Sequence, residues 1–267
     1  MRNGDALYRV YAGISHLLTA WNTGGEGIHS PYLFHLVQMS LYDSHRYYCW
    51  DAIEALRRVM LSSDGQLDMV DRGTGISGSK RICDIAKHSL QSPRGAQMLF
   101  RLAVHLGREQ REHGRDGLYI VELGTSLGIT TAYLAAADSR NRVVTYEGCP
   151  AVAQIARRNW TQLGLRNITC IEGDIDDTFD DARTIDMAYL DANHTYDATV
   201  RYWSRLAKQA HDRSVFIFDD IHYSRGMYRA WQDVCADTRV TSTMDLGKMG
   251  LAFFDPHYLK KHYRLKI

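Results

Sequence analysis

Acidic and small residues recur after short apolar runs in the second half of this chain, and they are of types that hold a nucleoside and move protons. The run LYIVE leads into Glu122, Leu123, Gly124, Thr125, Ser126, Leu127 and Gly128. Glycines there let the backbone turn sharply and approach a ligand before Ile129 opens a helix. The next run, VVTYE, ends at Glu147, about 20 residues beyond Gly124, the offset at which an acidic side chain meets a nucleotide ribose. A third run closes on Glu172, Gly173 and Asp174, acceptors suited to a hydrogen-bond-donating edge such as an adenine amino group.

Two further runs deliver different chemistry. IDMAYLD ends in Asp191, followed by Ala192, Asn193 and His194, and VFIFDD ends in Asp219 and Asp220, followed by Ile221 and His222. Three carboxylates from adjacent strand ends repel unless a cation, hydrogen bonds or protonation compensates. Asp191, Asp219 and Asp220 form an oxygen-rich set suited to Mg²⁺ or Ca²⁺, and a metal holding substrate oxygens would lower a hydroxyl pKa. His194 and His222 are candidate bases, since an unperturbed imidazole titrates near ~6.5. The plainer readings stand beside these: Asp191 only holds a cofactor, Asp219 caps a helix, and either histidine bonds to backbone.

These residues need a scaffold that brings strand ends to one edge. Apolar runs alternating with helical stretches such as ITTAYLAAAD and AVAQIARRNWTQLG predict a doubly wound α/β fold with a mostly parallel sheet. RVTSTMDLGKMGLAFFD adds a predicted antiparallel hairpin, making seven strands. Residues 5 to 115 read instead as helices, over Leu7–Trp21, Pro31–Leu41, Trp50–Leu61, Gly78–Ser89 and Gly95–Arg111. The predicted organisation is a helical N-terminal extension over 1–115 and a sheet core over 116–267. Tyr32, Tyr42, Tyr47, Tyr48 and Trp50 make the extension aromatic, as packing or as a substrate lid. DRGTGISG, residues 71 to 78, is a second glycine-rich stretch that reads as a loop, because Leu67–Val70 is a poor strand and no acid-ended strand follows it.

The chain has 267 residues, 32 Lys+Arg against 31 Asp+Glu and 45% apolar side chains, a composition that excludes disorder. With a net charge of +1, no field gathers nucleic acid or an anionic membrane, so neither is expected as a partner. The N-terminus lacks an uninterrupted apolar segment, so a cytoplasmic protein is expected. Five scattered cysteines match neither a disulfide framework nor zinc spacing.

VELGTSLG resembles the E/D-x-G-x-x-x-G motif of class I S-adenosylmethionine-dependent methyltransferases, with the likeness running over residues 117 to 255. That resemblance implies S-adenosylmethionine as cofactor, held by Glu122, Gly124, Thr125, Ser126, Gly128, Thr130, Glu147, Gly148, Gly173, Asp174 and Asp191. A nicotinamide enzyme would want G-x-G-x-x-G, but Ser126 stands at the second glycine position. An acidic loop also suits a cofactor lacking a pyrophosphate. Asp191, Asp219 and Asp220 fall where metal-dependent O-methyltransferases of the catechol and antibiotic-tailoring types place their acids, which implies Mg²⁺. Two departures stand out: Asn193 is not a base, and Asp219-Asp220 replaces the Asp-Asn of the catechol type. GIHSPYLF, residues 27 to 34, and VELGTSLGIT, residues 121 to 130, together resemble a bacterial class I group, which brings no substrate with it. His29, Tyr32 and Arg94 are candidate substrate contacts. The expected activity is O-methylation of a small hydroxylated molecule by a chain that forms a homodimer. The alternatives are a nicotinamide-dependent oxidoreductase and a non-catalytic cofactor-binding module.

Overall fold

The structure is a computed structural model and describes residues 3–20, 22–70, 77–179 and 182–266. The chain divides into two compact units, one of Asp43–Phe179 and one of Met1–Tyr42 with Asp180–Ile267. It opens with α1 (Asn3–Thr19), the short strand β1 (Asn22–Thr23) and α2 (Pro31–Leu36). Ser30 caps α2 by accepting a hydrogen bond from the Leu33 N–H at 3.3 Å, and Pro31, which has no N–H to satisfy, takes the first turn. A π-helical turn, Val37–Leu41, ends this segment.

The Asp43–Phe179 unit begins with α3 (Cys49–Ser62), β2 (Gln66–Val70), β3 (Ser77–Arg81), α4 (Ile82–Ser89) and α5 (Pro93–Glu112). It continues through β4 (Tyr119–Leu123), α6 (Ile129–Ala136), β5 (Arg142–Glu147), α7 (Pro150–Gln162), β6 (Ile168–Glu172) and α8 (Ile175–Thr178). Strands β4, β5 and β6 lie side by side and parallel, with Val121 opposite Val144 and Val144 opposite Thr169. Trp50, Ile53 and Leu56 of α3, Ile82 and Ile85 of α4 and Phe100 of α5 share one buried cluster with Ile129, Ala132 and Tyr133 of α6 and Trp160 of α7. Helices α3, α4 and α5 thus bury their apolar faces on the helices flanking these strands, so the compact unit runs on through residue 115.

Two readings need correction in this unit. The stretch around DRGTGISG is flanked by an antiparallel β2–β3 hairpin, with Met69 opposite Gly78, and residues 71–76 of that motif lie outside the described residues. The helix expected from Gly78 begins at Ile82. β3, SGSKR, is exposed along its whole length, so it offers no apolar alternation from which a strand can be read.

The other unit continues with β7 (Ile185–Leu190), α9 (Tyr196–Leu206), β8 (Ala210–Phe218), α10 (Arg225–Ala236), β9 (Ser242–Asp245), β10 (Gly250–Phe253) and β11 (Lys261–Lys266). Its strands run in the order β7-β8-β10-β9-β11-β1. β7 and β8 are parallel, whereas β10 is antiparallel to both β8 and β9, as the hairpin reading expects. β11 and β1 extend this edge in parallel fashion beyond the strands counted from the sequence. In KHYRLK only Tyr263 and Leu265 are buried, and the charged residues between them mask the period of two. Trp203 packs against Phe216 and Phe218, with Phe218 in turn against Trp231, filling the core below the strand ends. Among the described residues, no helix is long and apolar enough to cross a membrane.

Candidate active site

The loop after β4 is fixed mainly by backbone. Gly124 and Gly128 adopt φ of 99° and 78°, and Ser126 between them sits at 50°, where a side chain is rarely found. A Cβ at Gly128 would lie 2.6 Å from Trp160 Nε1 and 2.8 Å from the Ala156 methyl. No other residue fits that close approach. α7 then grips the loop: Trp160 Nε1 donates to Gly128 O and Asn159 Nδ2 to Leu127 O, each at 2.8 Å. At the end of β5, Glu147 accepts from the Ser126 N–H at 2.8 Å and, on its other oxygen, from the Cys149 N–H at 2.9 Å. Two backbone bonds therefore aim this carboxylate, and each oxygen has lone-pair capacity beyond one donor.

The neighbouring candidates play distinct parts. Glu122 is wholly buried, and its Oε2 accepts from the Thr131 and Thr145 hydroxyls, the latter at 2.7 Å. Thr125 bonds the same Thr145 hydroxyl at 2.6 Å, so Glu122 and Thr125 tie β4, β5 and α6 together below the loop. Thr130 is buried in the first turn of α6. Gly148 follows Glu147 between β5 and α7, and Gly173 donates its N–H to Glu147 O at 3.0 Å, bringing the ends of β5 and β6 together. Asp174 caps α8, one oxygen accepting from the Asp176 N–H at 2.9 Å. Glu172 pairs with Arg157. Ser89, at the end of α4, meets the Ser126 hydroxyl at 2.5 Å.

In the other unit the strand ends carry charge. His194 Nε2 lies 3.3 Å from Asp191 Oδ1 and 3.9 Å from Asp220 Oδ2, and Tyr189 donates its hydroxyl to Asp191 Oδ2 at 3.2 Å. Asn193 and Asp220 adopt φ of 45° and 52°. With Ser126 they are the non-glycine residues at positive φ among those described, each just beyond a strand end, the kind of strain that clusters at sites. Lys248, from the β9–β10 turn, places Nζ 2.8 Å from Asp219 Oδ2 and 3.7 Å from Asp220 Oδ1.

These neighbours set the protonation. Burial pushes Asp191 up to about 7, helped by the Asp219 charge and opposed by His194 and Lys248. For His194, burial works to lower the pKa, but the bond to Asp191 and the charges of Asp191, Asp220 and Asp219 outweigh it and the pKa rises. Asp220 is raised by burial and by Asp219. Lys248 is lowered by burial, yet the charges of Asp219 and Asp220 carry it above its ordinary value. His222 stands apart: its Nε2 lies 3.0 Å from Asp245 Oδ2, and its ring stacks on Tyr228 at 5.0 Å.

The structure thus brings Asp191, His194, Asp219 and Asp220 together and turns His222 toward Asp245. The ammonium of Lys248 sits against Asp219 and near Asp220, one positive charge beside the acids for which the sequence expectation had a divalent cation. The donor set after β4, β5 and β6 does fit S-adenosylmethionine: a carboxylate aimed by two backbone N–H groups and a loop turned sharply at Gly124, Ser126 and Gly128. Of the proposed substrate contacts, His29 and Arg94 are exposed and Tyr32 stacks on Tyr258 at 5.7 Å. Trp50 is buried in the core, and Tyr47, half-buried, packs with it against Phe100. Sequence reading missed Lys248, because a lysine in a hairpin turn carries no spacing signal; only β10 pairing beside β8 brings it to the two aspartates. It also missed the Trp160 and Asn159 clamp, which looks like any apolar helix face with an asparagine.

Residues 121–221 match the family model of a methyltransferase domain, and solved methyltransferases share the chain's fold. The SAH-bound O-methyltransferase from Bacillus cereus is similar with a TM-score of 0.54 at 16% identity, over 82% of this chain and 99% of that one. TomG from Streptomyces achromogenes, an O-methyltransferase involved in tomaymycin synthesis and solved with SAM, gives 0.54 at 17% identity over 82% and 94%. An SAH-bound methyltransferase from Podospora anserina gives 0.57 at 12% identity over 85% and 97%. Among curated proteins, protein-L-isoaspartate O-methyltransferase 1 of Archaeoglobus fulgidus is 34% identical over 80 residues, 30% of this chain. The chain spans 37% of that relative's length.

Proposed function

We propose that this protein is an S-adenosylmethionine-dependent O-methyltransferase acting on a small hydroxylated molecule without a divalent metal, in the cytoplasm. The observation that carries the reading is Glu147, held by the Ser126 and Cys149 N–H groups beside a glycine loop that α7 keeps open, within a stretch matching a methyltransferase domain. In this reading Glu147 accepts from ribose hydroxyls. Gly124, Ser126, Gly128 and Gly148 line the cofactor with backbone, Gly173 and Asp174 face the adenine, and Glu122, Thr125 and Thr130 brace the loop from below. When bound, S-adenosylmethionine supplies an electrophilic methyl group. His194 takes the proton of the acceptor hydroxyl on Nδ1, while Asp191, facing Nε2 at 3.3 Å, orients the imidazole and shares the resulting positive charge. Lys248 supplies the fixed cation that balances the carboxylates and the developing oxyanion, a role that elsewhere falls to a metal.

Helices α3 to α5 have a covering role in this proposal, supported by the Ser89 contact to Ser126. An expected homodimer draws support from α1, whose Leu7, Val10, Tyr11, Ile14, Leu17 and Leu18 are exposed at helical spacing; sedimentation velocity on Leu7→Glu/Ile14→Glu against wild type tests it. The activity is tested with methyl-labelled S-adenosylmethionine and a panel of catechols, phenols and hydroxylated acids, with chelator or Mg²⁺. Turnover on an oxygen acceptor that survives chelation and is lost in His194→Ala is expected. Turnover only with Mg²⁺, or only on nitrogen acceptors, contradicts the reading.

A further inference from the structure

His222 has no place in the chemistry above, yet it belongs to a buried constellation with α1. His16 of α1, His222 after β8 and Asp245 at the end of β9 each offer one ligand atom, and these atoms lie within 4.8 Å of one another. His16 Nε2 lies 3.1 Å from Leu265 O; a carbonyl only accepts, so Nε2 carries the hydrogen. Its other nitrogen, Nδ1, is buried without a hydrogen-bond partner and faces Asp245 Oδ1 at 3.4 Å. In the neutral ring that is a lone pair facing a carboxylate oxygen, an arrangement a proton or a cation must relieve. His222 Nε2 lies 3.0 Å from the other oxygen, Asp245 Oδ2, while its Nδ1 is also buried without a hydrogen-bond partner. The other tautomer of His222 presents its Nε2 lone pair to the same centre.

We propose that His16, His222 and Asp245 bind one transition-metal ion of the zinc type, which fastens α1 to β9 and to the loop after β8. Two imidazoles and a carboxylate are the donors zinc prefers and magnesium does not. Bonds of about 2.0–2.2 Å in a tetrahedron set ligand atoms roughly 3.3 Å apart, and each imidazole already stands near that distance from one carboxylate oxygen, His16 Nδ1 3.4 Å from Oδ1 and His222 Nε2 3.0 Å from Oδ2. Outer partners of the usual kind are in place: Leu265 O fixes the His16 tautomer, and the Gly247 N–H bonds Asp245 Oδ1 at 2.9 Å. Arg264 Nε, 3.6 Å from Asp245 Oδ2, offsets part of the carboxylate charge. Both histidines line a cleft of about 420 Å³ together with Arg9, Asp220, Tyr223 and Lys248, leaving a route for the ion and a water as fourth ligand.

The test uses the full chain, freed of tag and metal, titrated with Zn²⁺ against a chromophoric chelator and with Co²⁺ for the visible bands of a tetrahedral site. One equivalent of Zn²⁺ should bind and raise the melting temperature. His16→Ala and His222→Ala should each weaken binding by at least about 100-fold, more than loss of an outer partner does, whereas exposed His29→Ala leaves it unchanged. Should either alanine variant fail to fold, His16→Gln and Asp245→Asn carry the same comparison. Absence of binding at about 100 μM Zn²⁺, far above the range of built zinc sites, overturns the proposal. So does binding that survives both histidine substitutions. Neither result depends on S-adenosylmethionine recognition.

Discussion

The loop after β4 and the strand ends around Asp191 solve the same problem, placing polar groups at the carboxyl edge of parallel strands, by opposite means. The first is built from backbone: positive φ at Gly124, Ser126 and Gly128, carbonyls gripped by Trp160 and Asn159, and a carboxylate aimed by two N–H groups. The second is built from charge, four ionisable side chains from the ends of β7 and β8 balanced by Lys248. Backbone construction gives rigidity and a fixed shape for a ligand whose nucleoside part is the same in every turnover. Charge construction gives groups whose protonation changes with pH and with what is bound, which suits the acceptor and its proton.

The sharpest break in this comparison is Gly128→Val, which places branched carbon where even a Cβ meets Trp160 at 2.6 Å and imposes a disfavoured φ. It should destabilise the fold by about 3 kcal/mol or more and abolish SAH binding, read by thermal denaturation and calorimetry. Next comes Glu147→Ala. Loss of charge-assisted bonds of about 1.5–3 kcal/mol each should weaken SAH binding by roughly 10- to 100-fold, with a much smaller change in melting temperature.

In the charged region, Lys248→Met leaves Asp219 and Asp220 without their cation. Turnover should fall by about 100-fold, as when one electrostatic donor is removed, and added Mg²⁺ should restore part of it, since the acids then resemble an open oxygen site. No Mg²⁺ response in the variant would count against Lys248 standing in a metal's place. The smallest effect concerns pH. Asp191, with a folded pKa near 7 against 3.8, and His194, raised above 6.5, both bind protons more tightly when folded. Their contribution to stability is present in full below pH 3.8 for Asp191 and below 6.5 for His194, and it declines as pH rises through the folded values. Denaturant melts of wild type should weaken from pH 5 to 8 more than those of the Asp191→Asn/His194→Gln double variant. Methyl transfer should show the opposite trend, rising with pH to a midpoint above 6.5 as His194 loses its proton.

The contrast also explains what could be read without coordinates. Gly124, Gly128 and Glu147 were legible because a tight turn and an acid one strand later are spaced along the chain, and spacing is what sequence records. The parallel strands β4 to β8 were legible from their unbroken apolar runs, whereas β11 and the β2–β3 hairpin were hidden by charged and polar residues at exposed positions. Lys248 and the His16–His222–Asp245 group were not legible, since their partners come from segments far apart in sequence. Asp191, Asp219 and Asp220 read from the sequence as a metal set without the lysine that stands beside two of them, which arrives through strand order.

The most direct test is calorimetric titration of the folded protein with S-adenosylhomocysteine, chelator present, reduced nicotinamide dinucleotide as the control ligand and Glu147→Ala alongside. Micromolar one-to-one binding of the homocysteine compound, lost or greatly weakened in the variant and absent for the nicotinamide, is the predicted result. No heat from folded wild type, or equal affinity in the variant, would contradict the assignment of the loop after β4 as the cofactor site.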